Sequence, residues 1–114
     1  MSVSPSRILR NLLREEAFYF FTSIGNYTGQ NAASLGEFTQ QIKQVDIKSL
    51  EFHLYREDFE KWIAQTLGDA RLAAEIKDLR LRKAVGNLLR EQLHNIVSKR
   101  YRMLKGKLAF KVTT

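Results

Sequence analysis

The chain has 114 residues, 44% of them hydrophobic and 11% aromatic, which suits one folded domain with a real core and excludes global disorder. It contains no cysteine, which excludes disulfides and thiol chemistry and is compatible with a reducing cytoplasm. No run of about 18 apolar residues could span a membrane, and the first residues lack the apolar run of a signal peptide. We therefore expect a cytoplasmic protein without a membrane partner.

The charge is distributed unevenly, although the formal net charge is +7 overall. Residues 71–114 contain twelve Lys or Arg and three Asp or Glu, whereas residues 1–70 contain seven and nine. A basic half joined to a near-neutral half indicates an anionic partner: nucleic acid, an acidic protein or a membrane surface. The membrane surface is disfavoured, because the basic helix lacks the Trp-rich apolar face of membrane-surface helices. The cations that we assign to such a partner are Arg80, Arg82, Lys83, Arg90, Lys99, Arg100, Arg102, Lys105 and Lys107.

The N-terminal segment has the pattern of a helix. Ser4 and Pro5 suit the N-cap and first helical positions, and apolar residues then recur at helical spacing over residues 8–24. This periodicity predicts one helix that ends at Gly25. The aromatic run within residues 18–22 also has strand propensity, so a short extended piece there is the alternative.

Residues 25–31 are rich in Gly and Asn and predict a loop. Their Gly-x-x-x-Gly spacing lacks the Lys-Ser/Thr of a phosphate loop, so we interpret it as a plain connection. Ser34 followed by Glu37 is a capping box that opens a short helix, and Asp46 suits the start of the next one.

The central stretch predicts two further helices separated by a tight turn. Asp58 suits an N-cap, Gly68 suits the left-handed position that closes a helix, and Asp69 can cap the following helix. Between these boundaries the apolar residues have the spacing i, i+3, i+4, i+8 of one helical face, at Phe59, Trp62, Ile63 and Leu67.

The basic half predicts the longest helix, because an apolar stripe continues from Leu81 to Leu104 and contains Gly86. A break between Leu79 and Ala84 is the alternative. We expect Gly106 to end the long helix. Residues 107–114 alternate like a strand but have no partner strand in the chain, so we expect a disordered or partner-bound tail.

These elements together predict an all-α fold. We expect a compact single-domain bundle of about five helices over residues 1–106, with a long basic C-terminal helix. The N-terminal and C-terminal helices should pack around Phe38, Phe59 and Trp62, the bulkiest apolar side chains of the middle segment.

His53 and Asp58 are the one pair that suggests chemistry. An enzyme could use them as an acid/base pair with Glu57 or Tyr55, but a lone histidine is more often a structural hydrogen-bonding residue. His94 lies on a helix without partner ligands, and the His and Cys spacing of a metal site is missing. We therefore expect no catalytic residue, no metal and no cofactor.

A set of residues, in a fixed order along the chain, resembles the sequence pattern of a known family. It comprises Phe18-Tyr19-Phe20, Gly25, Gly29, Ser34-Leu35-x-x-Phe38, Ser49-Leu50-x-x-His53, Asp58-Phe59-x-x-Trp62-Ile63, Leu67-Gly68-Asp69 and Leu72-Ala73. The pattern is similar to that of a small prokaryotic family of uncharacterised helical proteins, frequent in archaea, over about residues 10 to 105. The resemblance implies one compact helical module and no catalytic residue.

A helical core without a catalytic constellation indicates a non-enzymatic interaction module that binds a protein partner or associates with itself. The alternative is RNA or DNA binding through the basic half. No small-molecule substrate is evident from the sequence.

Overall fold

The computed structural model describes residues 3–113, with side chains for residues 3–109. The chain begins with α1 (Pro5–Ile8), a turn of 3-10 helix (Arg14–Glu16), β1 (Phe18–Ser23) and β2 (Asn26–Ala32). The remaining elements are helical: α2 (Leu35–Gln44), α3 (Ile47–Tyr55), α4 (Asp58–Lys61) with its π-helical continuation Trp62–Leu67, α5 (Ala70–Leu81) and α6 (Gly86–Thr113).

The all-α prediction is wrong, because β1 and β2 form an antiparallel hairpin and make the fold α+β. The single helix expected over residues 8–24 does not form, since α1 ends at Ile8 and the backbone nitrogen of Leu12 donates to Ala33 beyond the hairpin. The predicted loop 25–31 is mostly β2. The alternative of an extended piece at residues 18–22 is confirmed.

Most of the predicted helix boundaries are confirmed. The side chains of Ser34, Asp46 and Asp69 each accept a hydrogen bond from a backbone N–H in the first turn of the helix that follows. Gly68 closes the preceding helix with φ +86°, a left-handed conformation that glycine adopts without a Cβ clash. These capping residues act only on the backbone close to them in the sequence, and in the structure they begin and end the helices as predicted.

Asp58 is an exception, because it is the first residue of α4 and its carboxylate does not cap the helix. The preceding residue, Glu57, instead takes a left-handed conformation with φ 67° and turns the chain between α3 and α4. A new helix therefore begins near Asp58 as predicted, but the backbone conformation of Glu57, and not a side-chain cap, separates it from α3.

The long C-terminal helix is present as α6, but it does not end at Gly106 as expected. Gly86, which we placed inside this helix, is its first residue and has φ +62°. The predicted tail 107–114 overlaps the last turns of α6, and Thr114 lies outside the described residues.

The core contains an aromatic cluster between the hairpin and the helices. Phe18 and Phe20 alternate onto the inner face of β1, as the period of two in a strand requires. Phe18 lies 5.1 Å from Phe59, 5.5 Å from Trp62 and 6.0 Å from Phe38 between ring centroids. The hairpin therefore occupies the place beside these rings that we had assigned to an N-terminal helix. Among residues 3–113, no helix is both long and apolar enough to cross a membrane.

Candidate functional site

A groove of about 410 Å³ runs along the outer edge of β1, between that strand and the junction of α3 with α4. Its position follows from the sheet, which has two strands within residues 3–113 and leaves β1 without a second neighbouring strand among them. Apolar side chains form most of its surface and charged groups lie along the helical side. The residues that line it are Phe18, Tyr19, Phe21, Ser23, Ile24, Gly25, Phe52, His53, Arg56, Asp58 and Lys61.

His53 joins the two walls of this groove. Its Nε2 lies 2.8 Å from the backbone nitrogen of Phe21 and accepts that N–H, and its Nδ1 lies 2.8 Å from the carboxylate of Asp58. Because Nε2 is an acceptor, the ring proton resides on Nδ1 and is donated to Asp58. The imidazole is 4% exposed, and both of its nitrogens are engaged within the chain.

Burial lowers the pKa of His53 below its ordinary value of 6.5, although the hydrogen bond and the charge of Asp58 act in the opposite direction. The lowered pKa agrees with the hydrogen bonding, since a protonated Nε2 could not accept from Phe21. His53 is therefore a neutral link between β1 and α3, with no nitrogen free to move a substrate proton or to bind a metal.

Asp58 accepts from two side chains, because Arg56 Nε lies 3.2 Å from the same carboxylate oxygen that His53 contacts. The guanidinium of Arg56 also lies 4.9 Å from the ring centroid of Phe52, within the range of a cation–π contact. These contacts place one cation on the rim of the groove directly beside an aromatic ring.

Tyr55 and Glu57, the other two residues of the enzyme hypothesis, contact groups other than His53 and Asp58. Tyr55 donates its hydroxyl to the carbonyl of Ala84, and its pKa is raised by burial and then by Glu51. Glu57 lies 3.7 Å from Arg80. In residues 3–109, no group of three or more His, Cys, Asp or Glu is placed to hold a metal ion. His94 lies away from the groove, and burial, Lys43 and Arg102 lower its pKa.

Four of the nine cations assigned to an anionic partner are bonded within the chain. Arg80 Nε lies 2.6 Å from Glu60, and Arg100 makes two hydrogen bonds of 2.8 and 3.1 Å to the buried carboxylate of Asp69. Arg90 donates to two carbonyls at the end of α2, and Arg82 pairs with Asp78 one turn away. Arg80, Arg90 and Arg100 thereby join separate elements of the fold, whereas the pair of Arg82 with Asp78 is exposed and local.

The other five of those cations, Lys83, Lys99, Arg102, Lys105 and Lys107, are exposed and form no ion pair within 4.0 Å among residues 3–109. Lys83 precedes α6, and Lys105 lies 5.9 Å from the ring of Tyr101. At 100° per residue, the four on α6 cover about 200° of its circumference, so they do not form a single row.

No prediction from the sequence located the groove, although one of its residues, Phe52, carried a signal. Phe52 lies off the buried face that Leu50, His53 and Leu54 share on α3. Ile24 follows the aromatic run at a turn and is 83% exposed. Phe52, an apolar residue outside a predicted buried face, could therefore have located this surface, whereas Ile24 had been assigned to the apolar stripe of the predicted N-terminal helix.

Comparison with known proteins identifies the family of the chain but assigns it no activity. A family model described as "Family of unknown function (DUF5752)" matches residues 14–110, and the chain belongs to this family. The predicted membership of an uncharacterised family is thereby confirmed, whereas its archaeal distribution stays a prediction. No curated protein and no solved structure matches the chain.

Proposed function

We propose that this chain is a non-enzymatic binding module whose partner is a protein that docks in the groove beside β1. The observation that carries the proposal is the exposure of Ile24, which is 83% accessible at the open end of a groove that also contains Phe21 and Phe52. A folded domain gains free energy by covering such a surface, and exposed apolar patches mark interaction sites.

The absence of catalysis is part of the proposal. His53 and Asp58 are the titratable pair closest to the groove, and their hydrogen bonds to Phe21, Arg56 and each other account for their placement. A general base must reach a substrate proton directly or through one water, and His53 has no free nitrogen to do so. We also propose a cytoplasmic location, supported by the lack of cysteine.

Nucleic-acid binding is the weaker alternative. Single-strand binding proteins place aromatic side chains beside a continuous cationic groove. Here Arg80, Arg90 and Arg100 are held by internal partners, and the exposed cations of α6 do not lie in one row.

The test is a selection of random peptides on the folded protein, followed by two-dimensional ¹H–¹⁵N NMR of the bound pairs. We expect enriched peptides that shift backbone resonances in residues 18–25 and 52–61. Ile24→Ser should weaken their binding, whereas Leu81→Ser should not, since Leu81 is also exposed, at 61%, but lies outside the groove.

A second experiment measures the binding of a fluorescent single-stranded RNA to the protein at low and at moderate salt concentration. Failure to select any groove-binding peptide would overturn the proposal. Salt-dependent RNA binding that is lost in Lys99→Glu or Arg102→Glu would then favour the alternative. Self-association through the groove would appear in light scattering as a dimer that Ile24→Ser dissociates, and it would identify a second copy of the chain as the partner.

A further inference from the structure

We infer that the groove beside β1 selects an extended peptide segment in which an apolar side chain is adjacent to a carboxylate. The apolar side chain would contact Phe21, Ile24 and Phe52, and the carboxylate would pair with Lys61 and Arg56. This inference rests on the proposed function and specifies the chemistry of the partner.

The charge of the rim supports an acidic partner. Lys61 lines the groove, is exposed, and forms no ion pair within 4.0 Å among residues 3–109. Arg56 is half exposed and shares its one carboxylate, that of Asp58, with His53. Since His53 is neutral, the charged groups that line the groove are two cations, Arg56 and Lys61, and one carboxylate that already accepts two hydrogen bonds.

The neighbouring acids do not neutralise this rim. Glu60 lies 2.6 Å from Arg80, and Glu57 lies 3.7 Å from the same guanidinium, on the side of α4 that faces α5. Neither glutamate lines the groove. The charge that remains on the rim is therefore positive, and complementary charge would steer and select an acidic segment.

The shape of the groove indicates an extended segment held by its side chains. The groove follows β1 from Phe18 to Gly25, so a peptide that fills it must lie along the strand. A strand added to this edge would need the N–H of Phe21, but His53 already accepts that hydrogen bond. Specificity for the peptide must then come from the apolar side chains in the groove and from the two cations on its rim, Arg56 and Lys61.

The test uses the peptides selected on the wild-type protein whose binding NMR places in the groove. We expect these peptides to contain Asp or Glu beside an apolar residue. Replacing the acid by Asn or Gln should weaken binding about threefold to tenfold at low salt. In Lys61→Glu the same replacement should no longer weaken binding, whereas Lys77→Glu, an exposed lysine on α5, should behave as wild type.

Groove-binding peptides that are neutral or basic, or whose affinity does not change when the acid is removed, would overturn this inference while leaving the proposed function intact. The absence of any groove-binding peptide would instead remove the proposed function itself. The two failures are therefore distinguishable in one set of measurements.

Discussion

His53 accepts the backbone N–H of Phe21 across 2.8 Å, and this hydrogen bond joins the outer edge of β1 to α3. The same ring donates to Asp58 at the start of α4. One side chain thus positions both walls of the groove, which makes the groove dependent on a residue that is itself almost fully buried.

His53→Ala should lower the free energy of unfolding by about 2–4 kcal/mol. The substitution leaves the Phe21 N–H without its acceptor and removes a ring that packs 4.8 Å from Phe18 and 5.0 Å from Phe52. Urea denaturation measures the effect. His94→Ala is the matched control, because no side-chain hydrogen bond of His94 is found among residues 3–109, and it should cost less than about 1 kcal/mol. Equal losses for both variants would contradict the linking role of His53.

Stability should fall as the pH is lowered below about 6.5. The pKa of His53 is lowered on folding, chiefly by burial, so between the two pKa values the unfolded chain binds more protons than the folded one. The stabilisation that neutral His53 contributes is therefore complete above the pKa that His53 has in the unfolded chain. It is lost as the pH falls through the lower pKa that His53 has in the folded chain. Thermal melting between pH 5.5 and 7.5 should show this slope, and NMR should show His53 titrating below 6.5.

His53→Gln removes this titration and should reduce the slope. His94→Gln should reduce it too, since burial and the charges of Lys43 and Arg102 also lower the pKa of His94. A His53 resonance that titrates above 6.5 would contradict the assigned proton position.

The buried pair of Asp69 and Arg100 should couple strongly. Asp69 is 2% exposed, accepts two hydrogen bonds from Arg100 and caps α5. Asp69→Ala leaves a mostly buried guanidinium unpaired and should cost about 3–5 kcal/mol. In a double-mutant cycle with Arg100→Ala, the double variant should cost less than the sum of the single variants. Asp78→Ala, which breaks the exposed pair with Arg82, should change stability by less than about 1 kcal/mol.

Two helical glycines should respond differently to alanine. At Gly106 a Cβ would meet no atom within 4 Å among the side chains described, those of residues 3–109, so Gly106→Ala should stabilise α6 by about 0.5–1 kcal/mol. At Gly36 a Cβ would lie 3.1 Å from the hydroxyl of Tyr101 and 3.2 Å from its ring. Gly36→Ala should therefore not increase stability, because the added methyl group crowds Tyr101 and offsets the gain in helix propensity. Melting temperatures of the two variants test this. A Gly106→Ala variant that is no more stable than wild type would indicate that α6 does not continue through this position.

The sequence alone determined the helix boundaries that depend on neighbouring residues. Ser34, Asp46 and Asp69 cap their helices, and Gly68 closes one, because each device needs only the backbone within a few residues. The buried stripe of Phe59, Trp62, Ile63 and Leu67 was predictable for the same reason, since helical spacing identifies a shared face.

Only the tertiary structure decided the hairpin, because β2 consists largely of exposed polar residues without a strand pattern, and β1 alone could equally have been helical. It also decided which cations are free. Arg100 binds Asp69, which lies 31 residues away in the sequence, and Arg80 binds Glu60, which lies 20 residues away. The spacing of residues along a helix cannot reveal such partners. The groove depends on the same kind of contact, since His53 and Phe21 come together only after the hairpin has packed against α3.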